Sequence, residues 1–175
     1  MNCTRACYKE SVMNDLNVTL RTIEERDNRE IAGVIRTVFR EFKIDKPGTV
    51  YFDPTTDDLY TLFQTPGSVY WIAEDDGKII GGCGIFPTPD LPEGCAELVK
   101  FYLASDQRGK GIGRILMERC FESAKGFGYR QLYLESMPEL AKAISLYEKA
   151  DFKFIPGPMG NSGHFGCDIW MLKDL

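Results

Sequence analysis

The stretch Asp106-Gln107-Arg108-Gly109-Lys110-Gly111-Ile112-Gly113-Arg114 joins two segments of different periodicity, and that junction decides the fold. Before it, Cys95 to Ala104 reads as one long strand. After it, Ile112, Ile115, Leu116, Cys120 and Ala124 recur at helical spacing, Gly126 and Gly128 end the helix, and Gln131 to Glu135 forms another β-rich run. Strand, loop, helix and strand in that order make a right-handed crossover between parallel strands. Glycines let the loop backbone approach a ligand, and the helix start presents unpaired N–H groups with partial positive charge. Arg108, Lys110 and Arg114 add three cations against one acid, Asp106. Together these features favour a polyphosphate.

Upstream, residues 17–23 alternate as a first strand, and Asp27 with Glu30 resembles a capping box. The helix it opens carries the stripe Ile31, Val34, Ile35, Val38, Phe39 and Phe42. Asp53-Pro54 suits the start of a short helix with Leu59, Leu62 and Phe63. Residues 68–74 and 78–86 are β-rich runs around Asp75-Asp76-Gly77, a hairpin signal. Downstream, Pro138 opens a helix through Ala150, and strands at 152–155 and 167–172 flank a loop rich in Gly and Pro.

A length of 175 residues suits one core and is short for two. Residues 1–15 read as a loose N-terminal extension and residues 16–175 as a single domain. A formal net charge of -5 argues against nucleic acid as the main partner, because phosphate neutralisation needs surplus Lys and Arg. It suits cationic amines. No apolar run approaches the roughly 20 residues of a spanning helix, so no membrane partner is expected. The six cysteines follow no secretory signal and read as reduced thiols of a cytoplasmic protein. Cys83, Cys95, Cys120 and Cys167 fall in apolar segments and read as core, whereas Cys3 and Cys7 lack the further ligands that zinc needs. No metal is expected.

Three classes of phosphate-binding loop compete. A P-loop needs Gly-Lys-Ser/Thr, which does not occur. A dinucleotide fold finds Gly109, Gly111 and Glu135, but Arg114 stands where its third glycine belongs, and too little chain follows for a second half. The third class fits best: Arg108-x-x-Gly111-x-Gly113 resembles the R/Q-x-x-G-x-G/A signature of the GNAT superfamily of acyl-CoA-dependent N-acetyltransferases. Ala96 to Leu103 is similar to that family's fourth strand, and Leu146-Tyr147-Glu148-Lys149-Ala150-Asp151-Phe152 to its "LYEKxGF" segment. The resemblance covers roughly residues 17–173.

This resemblance implies an α/β (α+β) fold: a mixed, mostly antiparallel twisted sheet of about seven strands, with helices on both faces and a central parallel pair of fourth and fifth strands. It implies acetyl-CoA as co-substrate, bound by Arg108, Gly109, Lys110, Gly111, Ile112, Gly113 and Arg114 at the pyrophosphate. Phe101, Tyr102 and Leu103 would follow the pantetheine arm where the fourth and fifth strands splay. A main-chain N–H near Leu103 would hold the oxyanion.

Amide formation from an amine and a thioester needs a neutral amine, a stabilised oxyanion and a protonated leaving thiol. Glu97 matches the family's strand glutamate and is the expected general base. Strand alternation sets it on one face with Val99, Phe101 and Leu103, apolar company that would raise its pKa; pairing with an Arg or Lys is the plainer alternative. Tyr147 lies on a stripe with Leu140, Ala143 and Ile144, where a tyrosine is usually core. The family pattern makes it instead the general acid that protonates the departing thiolate. His164, the only histidine, is either a solvated loop residue or part of the acceptor site, together with Glu135 and Ser136. Ser136 equally suits a helix cap ahead of Pro138.

Two positions depart from the family pattern: Leu140 replaces a frequent asparagine, and Asp151 a usual glycine. The activity expected is direct acetyl transfer in a ternary complex to a primary amine, on a small molecule or a peptide. A non-catalytic acyl-CoA-binding regulatory module on the same fold is the alternative. Loops 43–58 and 156–166 should shape the acceptor pocket, and a homodimer paired through the C-terminal strands stays open.

Overall fold

In a computed structural model, residues 11–13 and 16–175 are described, with side chains from residue 17 onward. Eight strands form one sheet among these residues: β1 (Ser11–Met13), β2 (Leu16–Thr22), β3 (Val69–Asp75), β4 (Lys78–Phe86), β5 (Cys95–Leu103), β6 (Gln131–Ser136), β7 (Lys153–Phe154) and β8 (Ile169–Asp174). Their order is β1-β2-β3-β4-β5-β6-β8-β7. Every pairing is antiparallel except β5 with β6, the crossover pair read from the sequence. The seven expected strands are present, and β1 is an eighth, on the edge beside β2. It lies within the stretch read as a loose extension; the rest of residues 1–15, with Cys3 and Cys7, is outside the described residues.

The helices are α1 (Asn28–Glu41), α2 (Leu59–Leu62), α3 (Ile112–Gly126) and α4 (Ala141–Lys149). They cover both faces of the sheet. Ile31, Ile35 and Phe39 of α1 pack with Leu59 of α2 against Tyr70 and Ile72 on one face. Ile112, Leu116 and Cys120 of α3 and Tyr147 of α4 pack against Trp71 and Ala73 on the other. The alternation of β3 is thus a division between two cores, and each large aliphatic side chain buried there contributes about 1.5–3 kcal/mol of transfer free energy. Cys83, Cys95 and Cys120 are buried free thiols and Cys167 is half-buried. No helix of the described residues is long and apolar enough to cross a membrane.

Local signals hold with informative shifts. Asp76 and Gly77 both take positive φ, 48° and 77°, as the tightest hairpin turn between β3 and β4 requires. The capping box sits one step earlier than expected. Glu24 and Asp27 form it, while Glu30 accepts the Ile79 amide at 2.9 Å. Asp27 is drawn away from α1 by Arg21, whose guanidinium it meets at 2.6 Å. The final helix begins as a 3-10 turn at Pro138–Leu140, and the last strand starts at Ile169, two residues late. Asp151 takes φ 67°, the left-handed cap that its replacement of glycine left in question.

One reading of β5 is corrected. Lys100 has φ 50°, and the β4–β5 register slips between Gly82 and Gly84, so β5 carries a bulge at Lys100 and Phe101, opposite Cys83. Alternation therefore changes phase. Val99 and Tyr102 face the α1 side, whereas Leu98, Phe101 and Leu103 pack on the α3 side. Glu97 shares its face with Val99 and Tyr102, not with Phe101 and Leu103.

Candidate active site

Beside the glycine loop lies a groove of about 340 Å³, walled by Phe101, Tyr102, Leu103, Arg108, Gly109, Gly111, Gly113 and Arg114, with Val38 and Phe42 of α1 and Ala143 and Leu146 of α4. Gly109 and Gly111 take φ 79° and 87°, and a Cβ on either would meet nothing within 4 Å. The loop needs glycine for its backbone, and the space before it is open. Gly111 is the N-cap of α3 and no side chain caps that helix, so its first amides are available to an anion. Gly113 has another reason to be glycine: a Cβ would stand 3.1 Å from the Phe101 ring. Ile112 buries its side chain in the α3 core and has only its backbone to offer.

Arg108 serves differently from the loop's other cations. Its Nε donates to Leu103 O at 3.0 Å, and its terminal nitrogens donate to the Glu41 carboxylate at 2.7 and 2.8 Å. The guanidinium also stacks 5.1 Å from the Phe42 ring centre. That bridge holds Glu41 below its usual pKa and ties the loop to the end of α1. Lys110 rests on Gln107 at 2.9 Å and Arg114 on Glu118 at 3.3 Å, both at the surface. Lys142 and Lys149 of α4 also line the groove, cations that the motif did not mark.

A second cavity, about 420 Å³, opens on the other side of Tyr102 and Leu140, which line both spaces. It gathers Glu97, Glu135, Ser136 and His164 from distant parts of the chain. It also contains residues that sequence reasoning missed: Asp53, Thr88 and Lys100. Lys100 Nζ lies 2.7 Å from Asp53 Oδ2 and His164 Nε2 lies 3.2 Å from the same oxygen. Burial works to raise Asp53, but His164 and the Lys100 ammonium outweigh it and hold the carboxyl far below its ordinary value. Burial pulls Lys100 down despite Asp53. The signal that marked Lys100 was its charge in an otherwise apolar strand.

The loop over this cavity is strapped at several points. Ser162 Oγ donates to Glu135 Oε2 at 2.9 Å, Tyr133 Oη donates to Glu135 Oε1 at 2.8 Å, and the Met159 amide donates to Tyr133 Oη at 3.1 Å. Phe165 and Gly166 donate their amides to Gly48 O. Ser136 Oγ, on a residue 3% exposed, is the one fully occluded side-chain polar atom among the described residues without a partner. It caps no helix.

Glu97 is 4% exposed. Thr88 Oγ1 donates to its Oε2 in a short hydrogen bond, and Oε1 has no donor among the described residues. Burial pushes its pKa up to about 7; Thr88 opposes and the nearby Glu135 charge adds to the rise. Glu97 pairs with Tyr133 at the last rung of a parallel ladder that comprises only Cys95↔Gln131, Ala96↔Leu132 and Glu97↔Tyr133. Beyond it β5 and β6 part. Tyr147 lines neither cavity. Its ring packs 6.0 Å from Phe101, which walls the groove, and 5.9 Å from Phe152. Its hydroxyl has no hydrogen bond among the described residues yet is not among the fully occluded atoms, and burial raises its pKa.

Residues 35–152 match the model of the acetyltransferase (GNAT) family. The chain is 38% identical over 158 residues to the Escherichia coli (strain K12) protein named uncharacterized N-acetyltransferase YjgM, covering 89% of this chain and 94% of that one. Its fold is similar to a GNAT-family acetyltransferase from Staphylococcus aureus Mu50, with TM-score 0.80 and 17% identity over 90% of this chain and 98% of that one. It is also similar to the PaiA N-acetyltransferase of Thermoplasma acidophilum, solved in complex with coenzyme A, with TM-score 0.71 and 19% identity over 91% of this chain and 100% of the other. A family model spanning the crossover, the glycine loop and the Tyr147 segment, with a relative aligned along most of both chains, establishes that this chain belongs to the GNAT family of acetyltransferases.

Proposed function

We propose that the protein transfers an acetyl group from acetyl-CoA directly to a primary amine, with Glu97 as general base and Tyr147 as general acid. One observation carries the reading: Glu97, buried and near pKa 7, stands at the last rung before β5 and β6 part, with an open oxygen and a cavity beside it. A carboxylate at that pKa is ionised often enough at neutral pH to take a proton and basic enough to hold it. The glycine loop fits the donor. Two left-handed glycines leave open space before an uncapped helix start, and an apolar groove leads from there along Phe101 and Leu103.

When bound, acetyl-CoA supplies the activated acyl group. Gly109 to Gly113 offer backbone amides to its pyrophosphate, and Lys110 and Arg114 swing from Gln107 and Glu118 to add charge. Arg108 positions the loop through Glu41 and Leu103. Glu97 receives the proton of the acceptor ammonium, directly or through a cavity water. A main-chain N–H near Leu103 takes the negative charge that develops on the carbonyl oxygen. Tyr147, kept protonated by burial, gives its proton to the departing sulfur once Phe101 yields to the donor, and the second proton lost by the nitrogen as the amide forms restores the phenol. The four described cysteines are unpaired thiols, which suits a cytoplasmic setting.

Following thiol release from acetyl-CoA with a panel of amines tests the transfer. Tyr147→Phe should lower kcat about a hundredfold with coenzyme A affinity kept, the scale of one general acid; unchanged turnover would remove Tyr147 from the chemistry. The absence of turnover with every amine, despite coenzyme A binding, would favour a binding module instead. Gly111→Asp sets a carboxylate at the helix start and forces a residue with a side chain into φ 87°. Loss of charge-assisted bonds worth about 1.5–3 kcal/mol should weaken coenzyme A about 10- to 100-fold in calorimetry. Undiminished affinity would place the pyrophosphate elsewhere.

A further inference from the structure

The acceptor cavity has an unbalanced charge inventory. Asp53, Glu97 and Glu135 contribute three carboxyl groups. Among the described residues Lys100 is its only lysine and no arginine lines it, and the Lys100 ammonium is already committed to Asp53 at 2.7 Å and Thr56 Oγ1 at 3.4 Å. With a side chain 5% exposed, Lys100 cannot turn to a ligand without abandoning Asp53 in the interior. His164 points to the same Asp53 oxygen. Arg108, a guanidinium of the neighbouring groove, is held bidentately by Glu41. An acidic group entering this cavity would therefore meet carboxylates and find no free cation.

Other surfaces of the cavity favour positive charge. Glu97 Oε1 has no donor among the described residues and is not fully occluded, an oxygen able to accept from an ammonium or amine N–H. Phe52 and Phe165, 57% and 80% exposed, flank the mouth with aromatic rings, whose faces attract cations and cover apolar carbon. The Phe165 ring is seated over Gly48 so closely that a Cβ there would overlap it, which fixes the ring at the rim. A volume of about 420 Å³ suits a small molecule.

We propose that the acceptor is a small cationic mono- or diamine with an apolar body and no acidic group beside the reacting nitrogen, and that the cavity discriminates against the corresponding α-amino acids. The proposal rests on the acceptor reading above and extends it to a class of substrate. Selection arises because binding a carboxylate leaves it unpaired among like charges, whereas the decarboxylated amine brings only positive charge to Glu97 and Glu135.

Binding without turnover isolates the inference. Protein saturated with coenzyme A, which cannot donate an acyl group, is titrated calorimetrically with phenethylamine against phenylalanine and cadaverine against lysine. In each pair the member lacking the carboxylate should bind at least about 10-fold more tightly, one decade being a modest estimate for an unpaired charge. Equal affinities, a reversed order, or no binding by any of the four overturns the proposal. The gap should narrow at least about threefold in Glu135→Gln or in Glu97→Gln, each nearly isosteric; a gap unchanged in both assigns the preference to size and overturns the charge argument. Amines that bind in this order yet release no thiol from acetyl-CoA defeat the transfer reading and leave the selection intact.

Discussion

Glu97→Gln is expected to lower kcat about a thousandfold while coenzyme A binds as before, since the amide keeps the shape and loses the base. Wild-type kcat/KM should fall as the pH drops through about 7, where Glu97 takes up its proton, and that limb should vanish in the variant. Stability should move the opposite way. An acid whose pKa is higher folded than unfolded costs no stability below the unfolded value and its full penalty above the folded one. Each decade is worth about 1.4 kcal/mol. The rise from 4.5 to about 7 therefore makes the ionised carboxylate cost about 3 kcal/mol above neutral pH. Thermal unfolding at pH 8 should thus find Glu97→Gln more stable than the wild type, whereas near pH 4 the two should match. A variant with full turnover, or one destabilised at pH 8, would contradict the role given to Glu97 and the cause given for its pKa.

Lys100→Met should destabilise the fold by about 3 kcal/mol or more, because it strands Asp53 without its buried partner. The side chains are 5% and 17% exposed, so solvent can replace little of what is lost. Denaturant unfolding of Lys100→Met, Asp53→Asn and the double variant checks this. The double variant should lose less than the sum of the singles by about 1.5 kcal/mol or more, and strict additivity would show that the two groups do not act as a pair. Asp53 is held below its ordinary 3.8 in the folded protein, so its contribution is complete above that pH and fades as acid reaches the folded form. Lys100→Met should accordingly flatten the acid limb of the stability curve below about pH 4.

The parts of this fold that were legible in the sequence are those that local chemistry determines. Gly109 and Gly111 marked a loop whose backbone could approach a ligand, and both take the left-handed conformation that few other residues adopt, as Gly77 does in the hairpin that Asp75-Asp76-Gly77 announced. The bulge was illegible on the same logic. A lysine at φ 50° is an unexpected occupant, and nothing in Val99-Lys100-Phe101 marks the slip, so alternation was read straight through it. The glycine loop, Glu97 and Tyr147 came from motif and strand position. The Asp53–His164 contact, between residues 111 apart, depends on how two loops fold over one cavity, and no local pattern carries it. Arg108 was recognised as part of the loop, but its commitment to Glu41, 67 residues away, appears only in three dimensions. Tyr147 shows the limit most plainly: its ring is core, as the stripe alone suggested, and its hydroxyl is unpaired, which leaves the acid role a proposal that rests on the family pattern.

The three-rung ladder between β5 and β6 is the shortest pairing in the interior of the sheet, matched or undercut only at its edges by β1–β2 and β7–β8. Mechanically it divides the sheet into two panels, β1 to β5 and β6 to β8, joined by a short spine, the α3 crossover and the core in which Leu132, Leu134 and Met171 pack with Ala96 and Leu98. Panels hinged on so few rungs can part at a free energy below that of global unfolding. A ligand lying in the gap acts as a clasp, and its stabilisation grows with the logarithm of its concentration. The same shortness of pairing that would make room for the donor thus makes this seam the line along which a bound substrate would add most to the rigidity of the sheet.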